Sequence, residues 1–123
     1  MSKSNELTKE IIKFLNVAGF LTWRNNTAGV YDPTKKIFRR NPALKRGVSD
    51  ILGIVPFTGR LIAIEIKIGA DKLSPEQHMF LNDVRERNGI AFVAKGFNGF
   101  IESLKENLSE EEIKIINKKY NFI

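Results

Sequence analysis

The feature that most limits the fold is a pair of apolar runs, Val48 to Val55 and Leu61 to Ile66, separated only by Pro56-Phe57-Thr58-Gly59 and the following Arg60. So short a connection, rich in turn formers, leaves two extended segments pairing antiparallel as neighbours. The Ile and Leu density of the second run suits a central strand covered on both faces. Charged side chains interrupt this pattern. Asp50 lies within the first run, and Glu65 and Lys67 stand at the end of the second. Strand side chains alternate, so Glu65 and Lys67 project to one face. Pairing across the turn brings Asp50, near the start of one run, opposite Glu65 and Lys67, near the end of the other. Two carboxylates and an ammonium then converge at one sheet edge.

The rest of the chain supplies partners for that sheet. Asn5 to Ala18 has helical spacing, with Leu7, Ile11, Phe14, Leu15 and Ala18 on one face and Gly19 as a stop. Phe20 to Trp23 reads as a short strand, and Asn25 to Gly29 as a cluster of turn formers. Val30-Tyr31 and Ile37-Phe38 flank Asp32 to Lys36 as a hairpin or extended flap. Ser74-Pro75-Glu76-Gln77 is a helix start, with Ser as N-cap, Pro at the first helical position and Gln completing a capping box. That helix runs to Gly89, and Ile90 to Ala94 follows as a strand. Phe97 to Leu108 and Glu110 to Lys119 read as two final helices, the second capped by Ser109. A strand, a helix and another strand in succession imply a parallel crossover, so the fold class is α/β with a mixed sheet.

A length of 123 residues suits a single domain spanning 1–123. No apolar run approaches the roughly 18–20 residues of a membrane span, and no signal-peptide stretch opens the sequence. With no cysteine there is no disulfide framework and no thiolate metal site. A cytoplasmic setting and no membrane partner are the expectations. The net charge of +6 is uneven: residues 1–49 hold 10 Lys/Arg against 3 Asp/Glu, and residues 50–123 hold 10 against 11. Lys35, Lys36, Arg39, Arg40, Lys45 and Arg46 form one acid-free stretch. Such a stretch can track phosphates, or it can be an ordinary solvated face.

Buried charges are costly unless they pair or bind an ion. Paired carboxylates make a hard oxygen site for Mg²⁺ or Mn²⁺, which otherwise coordinate water and substrate phosphate. A lysine beside them can orient or help deprotonate the attacking water, or steady charge on the phosphate. The same spacing also suits a strand-end salt bridge between Lys67 and either acid.

The ordered set Gly47-Val48-Ser49-Asp50, Ile64-Glu65-Ile66-Lys67 and Leu73-Ser74-Pro75-Glu76-Gln77 resembles the virus-type replication-repair nuclease branch, VRR-NUC, of the PD-(D/E)XK superfamily. The likeness extends from about Phe14 to Leu104, with Ser49 where the superfamily name has Pro. It implies a restriction-endonuclease-like sheet flanked by helices. It also implies that Asp50, Glu65 and the Ile66 main-chain carbonyl ligate Mg²⁺, and that Lys67 acts on the nucleophilic water. Gln77 matches the family's glutamine, a role compatible with capping. The family often adds an acid from the first helix. Glu10, one turn before Phe14, is the expected donor, with Glu6 farther round and a solvated charge as the other reading. His78 has no companion at metal spacing. Trp23 and Phe38 suit core packing or base stacking. The implied activity is structure-directed DNA endonuclease action on branched or four-way-junction DNA in replication, repair or phage metabolism, with a homodimer expected. A non-catalytic nucleic-acid-binding module on the same fold, or a plain α/β interaction domain, are the alternatives.

Overall fold

The computed structural model describes residues 2–25, 30–39 and 45–123, the side chains of 30–32, 38 and 39 excepted. The first helix, α1 (Lys3–Val17), begins two residues before the apolar periodicity suggests, because the Ser2 hydroxyl caps it by accepting from the Asn5 N–H at 3.2 Å. It buries Leu7, Ile11 and Leu15. Four strands form the main sheet: β1 (Leu21–Arg24), β4 (Ile51–Ile54), β5 (Leu61–Ile66) and β6 (Ile90–Ala94), in the order β1-β4-β5-β6. The first two pairings are antiparallel and β5 to β6 is parallel. β2 (Val30–Asp32) and β3 (Ile37–Arg39) make a separate antiparallel hairpin.

Every residue of β5 after Leu61 is buried, as its composition requires of a central strand. Alternation sends Ile62, Ile64 and Ile66 to the face covered by α1 and by α3 (Phe97–Asn107), where Phe100 and Leu104 are fully buried. Ala63 goes to the other face, against Phe80, Leu81 and Val84 of α2 (Pro75–Glu86). Glu65 follows Ala63 on that face and carries its carboxyl into the layer occupied by α2. The last helix, α4 (Glu110–Tyr120), has the Ser109 cap and a capping box with Glu112.

The ladder of β4 begins at Ile51, so Asp50 stands just before it rather than inside a strand from Val48 to Val55. The cause is local. Gly47 has φ +76, and a Cβ there would lie 2.3 Å from the Glu76 carbonyl oxygen. The chain therefore crosses against the first turn of α2 with a bare backbone before it enters the sheet. Among the described residues, no helix is long and apolar enough to cross a membrane.

Candidate active site

The end of the sheet where β4 begins and β5 stops is a pocket of about 230 Å³ lined by Ser4, Thr8, Arg24, Asp50, Glu65, Ile66, Lys67, Asp71 and Gln77. Ile51 pairs with Ile64, so the register places Asp50 across from Glu65. The Asp50 Oδ2 accepts the Ile66 N–H at 2.8 Å, and the Asp50 carbonyl accepts the Asn25 N–H at 2.8 Å. The first bond fixes one oxygen of the carboxylate where an ordinary ladder bond would be, and the second ties the Asp50 main chain to the residue after β1.

Glu65 is 1% exposed. The Gln77 Nε2 donates to its Oε1 at 3.2 Å, while Oε2 is buried with no hydrogen-bond partner. Burial pushes this carboxyl up from 4.5 to about 9; the neighbouring Asp50 pushes the same way, since it can accept a bond only from the protonated form and its charge repels the ionised one, and Lys67 opposes them. An orphaned buried oxygen beside a second carboxylate is the condition that a divalent cation relieves. Asp50, Glu65 and the main chain at Ile66 therefore fit a hard metal ion. The set is sparse: no group of three or more His, Cys, Asp or Glu suited to a metal occurs among the described residues. Mg²⁺ tolerates that, because water and phosphate fill its remaining positions.

Gln77 serves two ends of one amide. Its Oε1 accepts the Ser74 N–H at 2.8 Å to complete the capping box, and its Nε2 reaches Glu65. Helix capping and the site role are thus one geometry. Lys67 is brought to the pocket, but its ion pair is with neither Asp50 nor Glu65. Its Nζ lies 3.7 Å from Asp71 Oδ2, the lysine side chain 11% exposed and the aspartate 62%. So long a contact to an exposed acid contributes little stability. The strand-end salt bridge to Asp50 or Glu65 is not the arrangement found.

Glu10 is not brought to this pocket. It is exposed and lines a different, mostly apolar cavity with Phe14, Val17, Phe97, Tyr120 and Phe122. Burial of Leu7, Ile11 and Leu15 sets the rotation of α1, which turns Ser4 and Thr8 toward the acids. Two residues on from Thr8 is about 200° around a helix, so Glu10 faces away. Glu6 is exposed and lines neither cavity. Arg24 also lines the pocket, because its pairing with Ile51 places it at the Asp50 end of the sheet.

Of the basic stretch, Lys35 and Lys36 lie exposed in the β2–β3 turn, and Lys45 and Arg46 are exposed before Gly47. Lys45 lines a cavity with Leu61 and Phe80, at the end of β5 away from Glu65. Arg40, the side chains of Arg39 and Phe38, and the stretch 26–29 lie outside the described residues. Trp23 is 42% exposed on the edge strand, and His78 is exposed in the first turn of α2.

The VRR-NUC domain family model matches residues 21–98, from the start of β1 to the first turn of α3. No curated protein and no solved structure matches the chain significantly. The matched segment contains Arg24, Asp50, Glu65, Lys67 and Gln77, and leaves α1 and α4 outside.

Proposed function

Since the chain belongs to the VRR-NUC family, whose function is nuclease action on DNA, we propose that it is a Mg²⁺-dependent endonuclease. It would hydrolyse phosphodiesters of branched or junction DNA during replication, repair or phage metabolism. The observation that carries this reading is the buried Glu65 carboxyl, with Oε2 unpartnered beside Asp50 in a pocket that Lys67 also lines. A purely structural carboxylate would be satisfied or absent.

Asp50, Glu65 and the Ile66 carbonyl would hold Mg²⁺, with Mn²⁺ able to substitute; such an ion lowers the pKa of water and offsets phosphate charge. Gln77 holds Glu65 at Oε1 and leaves Oε2 without a donor, in a residue that lines the pocket. Lys67 orients the attacking water and steadies charge on the phosphate. A P–O bond forms to the water oxygen as the ester P–O bond opposite it breaks. The water's proton leaves to solvent, and the departing oxygen takes one up. Cutting two strands with one site per chain favours action as a homodimer.

The test is incubation with labelled single-stranded, duplex, flap and four-way-junction DNA, with Mg²⁺, with Mn²⁺ and with chelator, alongside a calorimetric Mg²⁺ titration. Metal-dependent cleavage that is fastest on the branched forms supports the proposal. DNA binding with neither cleavage nor metal uptake would instead identify a non-catalytic binding module.

A further inference from the structure

Two cations line the pocket, and they are placed differently. Lys67 has Asp71 as an ion-pair partner. Arg24 lies in the same pocket as Asp50, Glu65 and Asp71, yet makes no ion pair among the described residues. Its guanidinium Nη2 donates instead to the amide oxygen of Asn5 on α1, at 2.5 Å. This bond belongs to a seam along the edge strand, where Thr22, two residues earlier, is bound by Asn16 of the same helix at 2.6 and 2.9 Å. Both side chains of β1 that bond α1 are thus held by neutral asparagines. A neutral acceptor fixes the direction of a guanidinium without cancelling its charge, and the remaining N–H donors of the fork stay available.

An arginine beside carboxylates that it does not pair with needs another reason for its position. Resting on the nuclease reading above, the geometry points to Arg24 as the residue that grips a non-bridging oxygen of the phosphodiester in the pocket, with Asn5 as the positioning residue that aims it. The ligand is a phosphodiester anion. A planar guanidinium meets two phosphate oxygens in a bidentate manner, which an ammonium does not. Acid and base then divide the pocket. Asp50 and Glu65 form the side that takes a cation, and Arg24, near the hydroxyl-lined start of α1 at Ser4 and Thr8, forms the side that takes the phosphate. Lys67 stands at the acidic side. The arginine also keeps two carboxylates from repelling the substrate they are meant to cut.

The experiment compares wild type with Arg24→Gln, Arg24→Lys, Asn5→Ala and Glu65→Gln. DNA affinity is measured in chelator across a salt series, and cleavage kinetics with Mg²⁺. Arg24→Gln should bind about tenfold more weakly and lower the slope of log affinity against log salt by about one. Its kcat should fall by roughly 30-fold or more, the scale of losing a charged donor at the reacting phosphate. Arg24→Lys should restore the salt slope but only part of the rate, because the fork is missing. Asn5→Ala should keep the slope and lower kcat by roughly three- to tenfold with little change in KM, a pattern that mere loss of stability does not produce. Arg24 is exposed, so its variants should fold; thermal melts check this for every variant, and Arg24→Lys carries the comparison if the Gln form does not fold. Cleavage and salt slope unchanged in Arg24→Gln would overturn the assignment while leaving the nuclease reading standing. A wild type that never cleaves, but whose salt slope drops in Arg24→Gln, would keep the phosphate contact and overturn the nuclease reading. A wild type that neither binds nor cuts DNA would overturn both.

Discussion

Glu65 and Glu112 are equally hidden, 1% and 3% exposed, and both belong to the neighbourhood of β5, one at its end and the other against Arg60, just before its start. Their surroundings differ in the one respect that matters for a buried carboxylate. Arg60 Nη1 donates to Glu112 Oε1 at 2.6 Å, the Ser109 N–H to the same oxygen at 2.9 Å, and Thr58 Oγ1 to Oε2 at 2.7 Å. Burial opposes the charge of Glu112, but these bonds and the Arg60 charge outweigh it and hold the carboxyl below the usual 4.5. Glu65 has one amide donor, one orphan oxygen and a second acid beside it, and is pushed up to about 9. Glu112 ties α4 to the β4–β5 turn, whereas Glu65 is a buried acid left short of donors, the condition a bound cation would relieve. Burial alone does not distinguish structure from function; satisfaction of the buried charge does.

The largest difference should appear in activity. Glu65→Gln removes a ligand charge while preserving shape, and cleavage should fall by roughly 10³-fold or more. Glu112→Gln, assayed well below its melting temperature, should stay within about threefold of wild type, since it touches nothing in the pocket. A quenched-fluorophore cleavage assay on both variants decides this, and comparable losses would end the distinction.

Stability should move in the opposite sense. Glu112→Ala leaves Arg60 and Thr58 without their acceptor and should cost about 2–4 kcal/mol, the lower part of the range reflecting the partly exposed arginine. Glu65→Gln should gain about 1–2 kcal/mol in chelator, because a buried carboxyl held out of its ionised form is replaced by a neutral amide. Urea melts of metal-free protein provide the measurement, and a destabilised Glu65→Gln would refute the view of Glu65 as a strained group.

The pH dependence sharpens the same contrast. Folded Glu65 keeps its proton up to about 9, whereas the unfolded chain releases it near 4.5. The folded state binds more protons across that window, so metal-free stability should fall as pH rises through it, by at most about 1.4 kcal/mol per unit. Glu112 behaves conversely: its folded carboxyl ionises below 4.5, so its stabilisation is present above that value and lost as pH falls through the folded pKa. Glu65→Gln should flatten the decline in Tm between about 4.5 and about 9, and Glu112→Gln the loss of Tm below 4.5.

The smallest effect concerns whether DNA reaches the Leu61 end of β5, where Lys45 lies. Lys45→Ala should lower the slope of log affinity against log salt by about one if it meets a phosphate, with cleavage at saturating DNA unchanged. An unaltered slope would confine the footprint to the Glu65 end.

The features legible from residue pattern alone are those that short-range periodicity governs. Two-residue alternation places Glu65 and Lys67 on one face, the short turn after Val55 forces antiparallel pairing, and the Ser74 to Gln77 spacing makes the capping box. These interactions lie within a few residues, so the pattern of residue types suffices. The remaining features follow from long-range packing. The rotation of α1 depends on how Leu7, Ile11 and Leu15 seat against the sheet, and that packing brings Thr8 rather than Glu10 to the acids. Glu112 reads as one more charge on a charged surface helix, and its burial exists only because Thr58 and Arg60, 54 and 52 positions away, close over it. Arg24 reads as the end of a strand, and its direction depends on Asn5, 19 residues earlier. The physical reason is common to all three. A side chain's partners beyond its own turn or ladder depend on how whole elements are rotated against a shared core, and that rotation is settled by the packing of many residues at once.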